Sequence, residues 1–182
     1  MALRRLQKDY RRLTQEETEF YSVHLIDDNM FKWGVTLFGP SGTPYENCYY
    51  SAVLEFTKEY PNKPPKFYFV DNIFHPNVYK DGKVCISILN EGEDEFGYES
   101  KQERWNVLHT PHSIIMSIIT LFTGPNLDSP ANVDAAVMYR DNIKLYRRKV
   151  QEYNDKKFIK TDTNTSRPRS YAIWDKATQK DS

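Results

Sequence analysis

Between Tyr21 and Val70 the chain alternates apolar and polar residues in four short runs, joined by connections too short to hold a crossover helix. Tyr21-Val23-Leu25 opens the series, and Asp27-Asp28-Asn29 marks a turn. Phe31 to Phe38 and Tyr49 to Phe56 follow as two strands flanking a Gly39-Pro40-Ser41-Gly42 turn, and Lys66 to Val70 is a shorter fourth. Parallel pairing needs a crossover of about a dozen residues or more, so the connections dictate an antiparallel meander. The Pro61-Asn62-Lys63-Pro64-Pro65 entry to the fourth strand is stiff and poor in amide donors, which predicts an exposed loop at the sheet edge.

Helical spacing flanks this meander on both sides. Leu3, Leu6, Tyr10 and Leu13 form an apolar stripe on an opening helix whose other face carries Arg4, Lys8, Arg11 and Arg12. Thr110-Pro111 predicts a cap and first turn for a helix through Ile114, Ile115, Ile118, Ile119, Leu121 and Phe122. It is apolar on nearly all sides, so it should be buried, and Gly124-Pro125 stops it. Ser129-Pro130 is expected to open a short helix to about Tyr139, and Asp141 another to about Lys157. The expected class is α+β: a four-stranded antiparallel meander on a central helix, with an N-terminal helix and two C-terminal helices. A folded body of residues 1–157 would bury roughly 68–70% of its unfolded surface. Residues 158–182 read as a polar, flexible C-terminal tail carrying an apolar Tyr171–Trp174 patch able to dock.

With 25 basic and 25 acidic residues the net charge is zero, so no global field draws the chain to nucleic acid or membrane. No apolar run approaches the ~20 residues of a membrane span, and the N-terminus lacks a signal-peptide core. Two cysteines cannot make a disulfide scaffold, and these features together predict the cytosol or nucleus.

The stretch from Asp71 to about Thr110 shows no regular pattern, and loops of that length are usually functional or disordered. It holds His75-Pro76-Asn77, Cys85 and an acidic insertion ending at Trp105. A Cys can hold an acyl group as a thioester, and an Asn amide can donate to the oxyanion of a tetrahedral intermediate. Asn77 equally suits a bracing role, its amide tying the long loop to itself. His75 precedes a proline, has a restricted backbone, and lacks a third orienting residue, which argues against a cysteine-hydrolase pair with Cys85. His75, Cys85 and Cys48 make no metal-ligand pattern, and Cys48 reads as structural.

In its order of elements the chain resembles the ubiquitin-conjugating enzymes, over residues 2 to about 157. The resemblance rests on Tyr60-Pro61 with Pro64-Pro65, His75-Pro76-Asn77, Gly82-Lys83-Val84-Cys85-Ile86-Ser87-Ile88-Leu89, Trp105, and Pro125-Asn126 with Ser129-Pro130-Ala131-Asn132. Gly92-Glu93-Asp94-Glu95, Gly97-Tyr98-Glu99 and Glu103-Arg104-Trp105 resemble the branch with an acidic insertion after the cysteine, associated with lysine-48-linked chains and degradation. The resemblance implies that Cys85 accepts ubiquitin from the activating enzyme and passes it to lysine with a RING-type ligase. It makes Asn77 a catalytic donor and His75 a supporting hydrogen-bonder. It sets Asp128 and Ser129 as a gate beside the cysteine, although Ser129 before Pro130 is equally a helix N-cap. Glu93, Asp94 and Glu95 of the insertion would orient the incoming ammonium. Arg4, Arg5 and Lys8 would meet the activating enzyme; Asn62, Val107 and Leu108 would meet the ligase. No cofactor is implied, because ATP is used by the activating enzyme. The alternative within the fold, a non-catalytic ubiquitin- or ligase-binding variant, characteristically lacks the cysteine that stands here at 85. Local departures are Asn47-Cys48 in place of a glycine pair, Asn90 in place of His, Val107 in place of Pro, and Asn62 where many relatives offer Phe.

Overall fold

The computed structural model describes residues 1–70, 73–92 and 103–157. The expected tail at 158–182 and the acidic residues Glu93, Asp94 and Glu95 lie outside the described residues.

Helix α1 (Ala2–Gln15) leads into strands β1 (Tyr21–Ile26), β2 (Asn29–Phe38), β3 (Tyr49–Glu55) and β4 (Lys66–Phe69). They pair antiparallel in the order β1-β2-β3-β4, the expected meander. The register aligns Val35 with both Val23 and Ala52, and Ala52 with Phe69. Alternation then puts Trp33, Val35, Leu37, Tyr50, Ala52, Leu54, Phe67 and Phe69 on one buried face.

The first hairpin is tighter than expected. Asp27 and Asp28 both sit at φ 52°, and Ile26 pairs directly with Asn29. A two-residue loop with two positive φ angles matches the right-handed strand twist. Asn29 therefore starts β2, and its Oδ1 accepts the Phe31 amide at 2.9 Å.

Helix α2 (Pro111–Thr123) crosses the buried face. The Thr110 hydroxyl accepts the Ser113 amide and Ser113 returns a bond to the Thr110 amide, so both orphan donors are satisfied. The ring of Phe122 lies 5.3 Å from that of Tyr50 and 6.2 Å from that of Phe69. Burial is confined to one side, through Ile114, Ile115, Ile118, Ile119 and Phe122, while Thr120 and Thr123 are exposed.

Helices α3 (Val133–Asp141) and α4 (Ile143–Lys157) both start later than expected. Asn132, not Ser129, caps α3 by accepting the Ala135 amide at 3.1 Å. Asp141 is spent in a 2.7 Å pair with Arg140, and Asn142 accepts the Leu145 amide at the start of α4. Two buried contacts dock α4: Tyr146 shares a hydroxyl contact with Tyr45, and Tyr50 donates to Asn154 Oδ1 at 3.0 Å.

The apolar stripe of α1 is rotated from the expected one. Leu3 is exposed, and the buried side carries Ala2, Leu6, Asp9 and Leu13. Asp9 can face inward because its carboxylate accepts from Arg5 at 2.8 Å and from the Tyr60 hydroxyl at 3.0 Å. The same guanidinium donates to the Val107 and His109 carbonyls at 3.4 and 3.2 Å. Arg5→Ala would leave a largely buried carboxylate short of its cation, and we expect a loss of about 2 kcal/mol, read as a lower urea midpoint at unchanged slope.

Candidate functional site

Residues 77–85 form a small hairpin within the long loop. Val78 bridges Val84, the Tyr79 amide donates to Lys83, and the Cys85 amide donates to Asn77 at 2.8 Å. Asp81-Gly82 makes the reversal. Gly82 has φ +85°, and a Cβ there would stand 2.2 Å from the Phe69 carbonyl oxygen, so only glycine fits. The Gly82 carbonyl accepts the Phe69 amide at 2.9 Å, fastening the hairpin to β4.

At the base of the hairpin, His75 is almost wholly enclosed. Its Nδ1 accepts the Asn77 amide at 2.9 Å, so Nε2 carries the hydrogen and donates to the Leu121 carbonyl at 2.9 Å. Both ring nitrogens are thus committed, and the ring is no base for Cys85. Burial pushes its pKa down to about 4, partly offset by the Leu121 bond. The supporting role expected for His75 takes the form of a structural brace.

Asn77 is fully buried. Its Nδ2 donates to the Asn126 carbonyl at 2.6 Å and its Oδ1 accepts the Asn126 amide at 2.9 Å. The side chain thereby pairs with a backbone unit as a neighbouring strand would, and of the two roles weighed for it the bracing one is what the geometry presents. Asn132 adds a second tie, its amide donating to the Pro76 carbonyl at 2.9 Å. Together these hold residues 126–132 against the hairpin.

Cys85 lies in the gap between the two. It is half-buried, whereas Cys48 sits in the core as expected. The Cys85 thiol faces the Ser129 carbonyl with Sγ at 3.8 Å, which brings the exposed Asp128-Ser129 pair beside it. On the other side stands Tyr79. Its hydroxyl pKa is raised first by the charge of the Cys85 sulfur and by a hydrogen bond with it, then by partial burial and Asp81. Tyr79 was not picked out from the sequence, and Asn126 and Asn132 entered there only as parts of matching motifs, with no role given. The Asp81-Gly82 turn signal was the available clue for Tyr79, because a hairpin reversing there returns Cys85 to its neighbourhood.

Both feet of the acidic insertion are pinned. Arg104 donates to the Glu91 and Gly92 carbonyls, each at 2.9 Å, and the Trp105 amide donates to the Asn90 carbonyl at 3.1 Å. The Trp105 indole also donates to Pro61 at 2.9 Å, linking this base to the proline-rich entry of β4. That entry is less exposed than expected, with Pro65 buried while Asn62 stays in solvent.

Of the partner residues, Arg4 and Lys8 line an open basic groove along α1 with Arg11 and Arg12. Val107 and Leu108 are exposed. Arg5 does not belong with its expected neighbours: it reaches across to Val107 and His109, tying the two expected surfaces together.

Residues 5–154 match a family model described as ubiquitin-conjugating enzyme. The "Ubiquitin-conjugating enzyme E2 14" of Arabidopsis thaliana is 46% identical over 147 residues, covering 80% of this chain and 88% of the relative. The "Ubiquitin-conjugating enzyme E2 7" of the same plant is 46% identical over 147 residues, covering 80% and 89%. The "Ubiquitin-conjugating enzyme E2 15" of Schizosaccharomyces pombe is 41% identical over 148 residues, covering 80% and 89%.

Folding requires the neutral ring of His75, whose ordinary pKa is 6.5. Protonation therefore favours the unfolded chain. The stabilising contribution is complete above about pH 6.5, is lost as pH falls toward 4, and amounts to roughly 3 kcal/mol. An NMR titration of the ring nitrogens should show one midpoint near 4, with the Nε2–H tautomer at neutral pH; a midpoint near 6.5 would contradict this.

Proposed function

This chain belongs to the ubiquitin-conjugating enzyme family and is a ubiquitin transferase, and on that premise we propose that Cys85 carries ubiquitin as a thioester. The supporting observation is the placement of its sulfur. It is accessible, fixed by the Asn77–Cys85 backbone bond, and flanked by Tyr79 and the Ser129 carbonyl.

In the first step the Cys85 thiolate attacks the carbonyl of the thioester held by the activating enzyme, whose own thiolate leaves. In the second, a lysine amine attacks the Cys85 thioester. An isopeptide bond forms, the amine loses a proton, and the Cys85 thiolate departs. A thioester is activated toward amines, so neither step demands a strong base or a cofactor in this chain. That suits a site whose histidine is buried, neutral and occupied at both nitrogens.

Asn77 acts first by holding residues 126–132 in place, which sets the shape of the gap around the sulfur. An Asn amide has two hydrogens. We assign the one not given to Asn126 to the oxyanion of the second step. Asp128, Ser129 and the acidic residues Glu93, Asp94 and Glu95 would attract the lysine ammonium and favour loss of its proton. Lysine-48-linked chain building is assigned to this chain on the likeness of its acidic insertion to the branch associated with such chains, and Arg104 and Trp105 fasten Asn90, Glu91 and Gly92 just ahead of it. Family members work with ubiquitin, an activating enzyme and ligases. Here Arg4 and Lys8 are assigned to the activating enzyme, and Asn62, Val107 and Leu108 to a RING-type ligase.

Incubation with activating enzyme, ATP and ubiquitin should give a thiol-sensitive adduct on a non-reducing gel, absent in Cys85→Ala. If no adduct forms where a control enzyme is charged, the thioester reading fails. Asn77→Ala should still charge within a few-fold, yet discharge to free lysine ~10²–10³ more slowly. It should also unfold at lower denaturant, since two buried bonds to Asn126 are lost.

A further inference from the structure

Helices α3 and α4 enclose a groove of about 560 Å³ that the transfer chemistry does not use. Phe74, Val137, Met138 and Leu145 supply its apolar lining, and Asp134, Asp141 and Lys149 its charged groups. Val137 is 43% exposed, and Val133 and Ile143 nearby are 62% and 41% exposed, so this side of the molecule presents aliphatic surface to solvent.

We propose that Tyr171-Ala172-Ile173-Trp174, from the segment that follows α4, folds back into this groove. Beyond Ile159, every large apolar side chain of the chain belongs to that tetrapeptide. Arg167 and Arg169 stand just before it and Asp175 just after, with signs that complement Asp134 and Lys149 of the groove, Asp141 being held by Arg140. Geometry favours the return. Leu145 lies about 18 Å back along α4 from Lys157 at 1.5 Å per residue. The connecting residues 158–170 can extend to roughly 45 Å, and a coil of that length spans about 20 Å on average. A linker whose average span matches the separation gives the highest effective concentration, in the ~millimolar range. Even a weak apolar contact is then well populated within one molecule. The groove is also joined to the site, since Phe74 adjoins His75 and the Asn132 amide at the start of α3 bonds to Pro76.

The test is ¹⁵N NMR on the full chain and on its Trp174→Ala and Val137→Asp variants. Trp174 lies outside the described core and Val137 is surface-exposed, so neither change threatens folding. In the unaltered chain, order parameters at Tyr171–Trp174 should exceed the about 0.6 that marks flexible backbone. Both variants should bring them below it. Trp174→Ala should also shift the amides of Val137, Met138 and Leu145 while leaving α1 unmoved. Low order parameters in the unaltered chain would overturn the proposal. So would values that survive Val137→Asp, which would place the segment elsewhere. Shifts at Val137 and Leu145 that depend on protein concentration would assign the groove to a second copy and overturn it equally.

Discussion

The two-way pairing of the buried Asn77 carboxamide with the Asn126 backbone is the contact on which the site depends. Neither residue 77 nor residue 126 belongs to a helix or strand, and no ladder would otherwise join their loops. Fully enclosed amide groups must find partners, because an unsatisfied one costs about 1–3 kcal/mol. Each loop satisfies the other, and Cys85 is held where they meet. His75 extends the logic below, using one ring nitrogen for the Asn77 amide and the other for α2. The consequence is a candidate nucleophile whose surroundings are set by neutral hydrogen bonds rather than by an adjacent charged base.

A second polar knot joins surfaces that the sequence presents as separate. Arg5 and Tyr60 both bond to Asp9 on the inner side of α1, and Arg5 continues to the Val107 and His109 carbonyls. Tyr60 adjoins Pro61, whose carbonyl takes the Trp105 indole hydrogen. The basic face of α1, the proline-rich entry to β4 and the exposed Val107-Leu108 pair are therefore mechanically one unit. A basic residue on an amphipathic helix looks like surface in a linear pattern. Here Arg5, one of five basic residues on α1, serves as an internal strut.

Much of the fold was legible because its signals are local. Period-two alternation, short turns and the Thr110-Pro111 cap gave the strands and α2 to within about two residues. The errors have causes both near and distant along the chain. Ser129 and Asp141 have side chains suited to capping, but Asn132 and Asn142 do the capping, and Asp141 is drawn off by Arg140. Leu3 fits a helical stripe by spacing, yet Asp9 takes the inward position because Tyr60, 51 residues on, offers its hydroxyl.

The linear order of residues determined the α+β class, the antiparallel meander, the candidate nucleophile at Cys85 and the neutral balance of charge. These follow from neighbours a few positions apart, where steric and hydrogen-bond preferences act without help from the rest of the chain. Tertiary structure alone decided that Asn77 clasps Asn126, that His75 has no nitrogen to spare, and that the Ser129 carbonyl faces the Cys85 sulfur. Each of those facts depends on a side chain meeting a group it approaches only once the loops have closed, and hydrogen bonds, being short-ranged and directional, exist only at that distance.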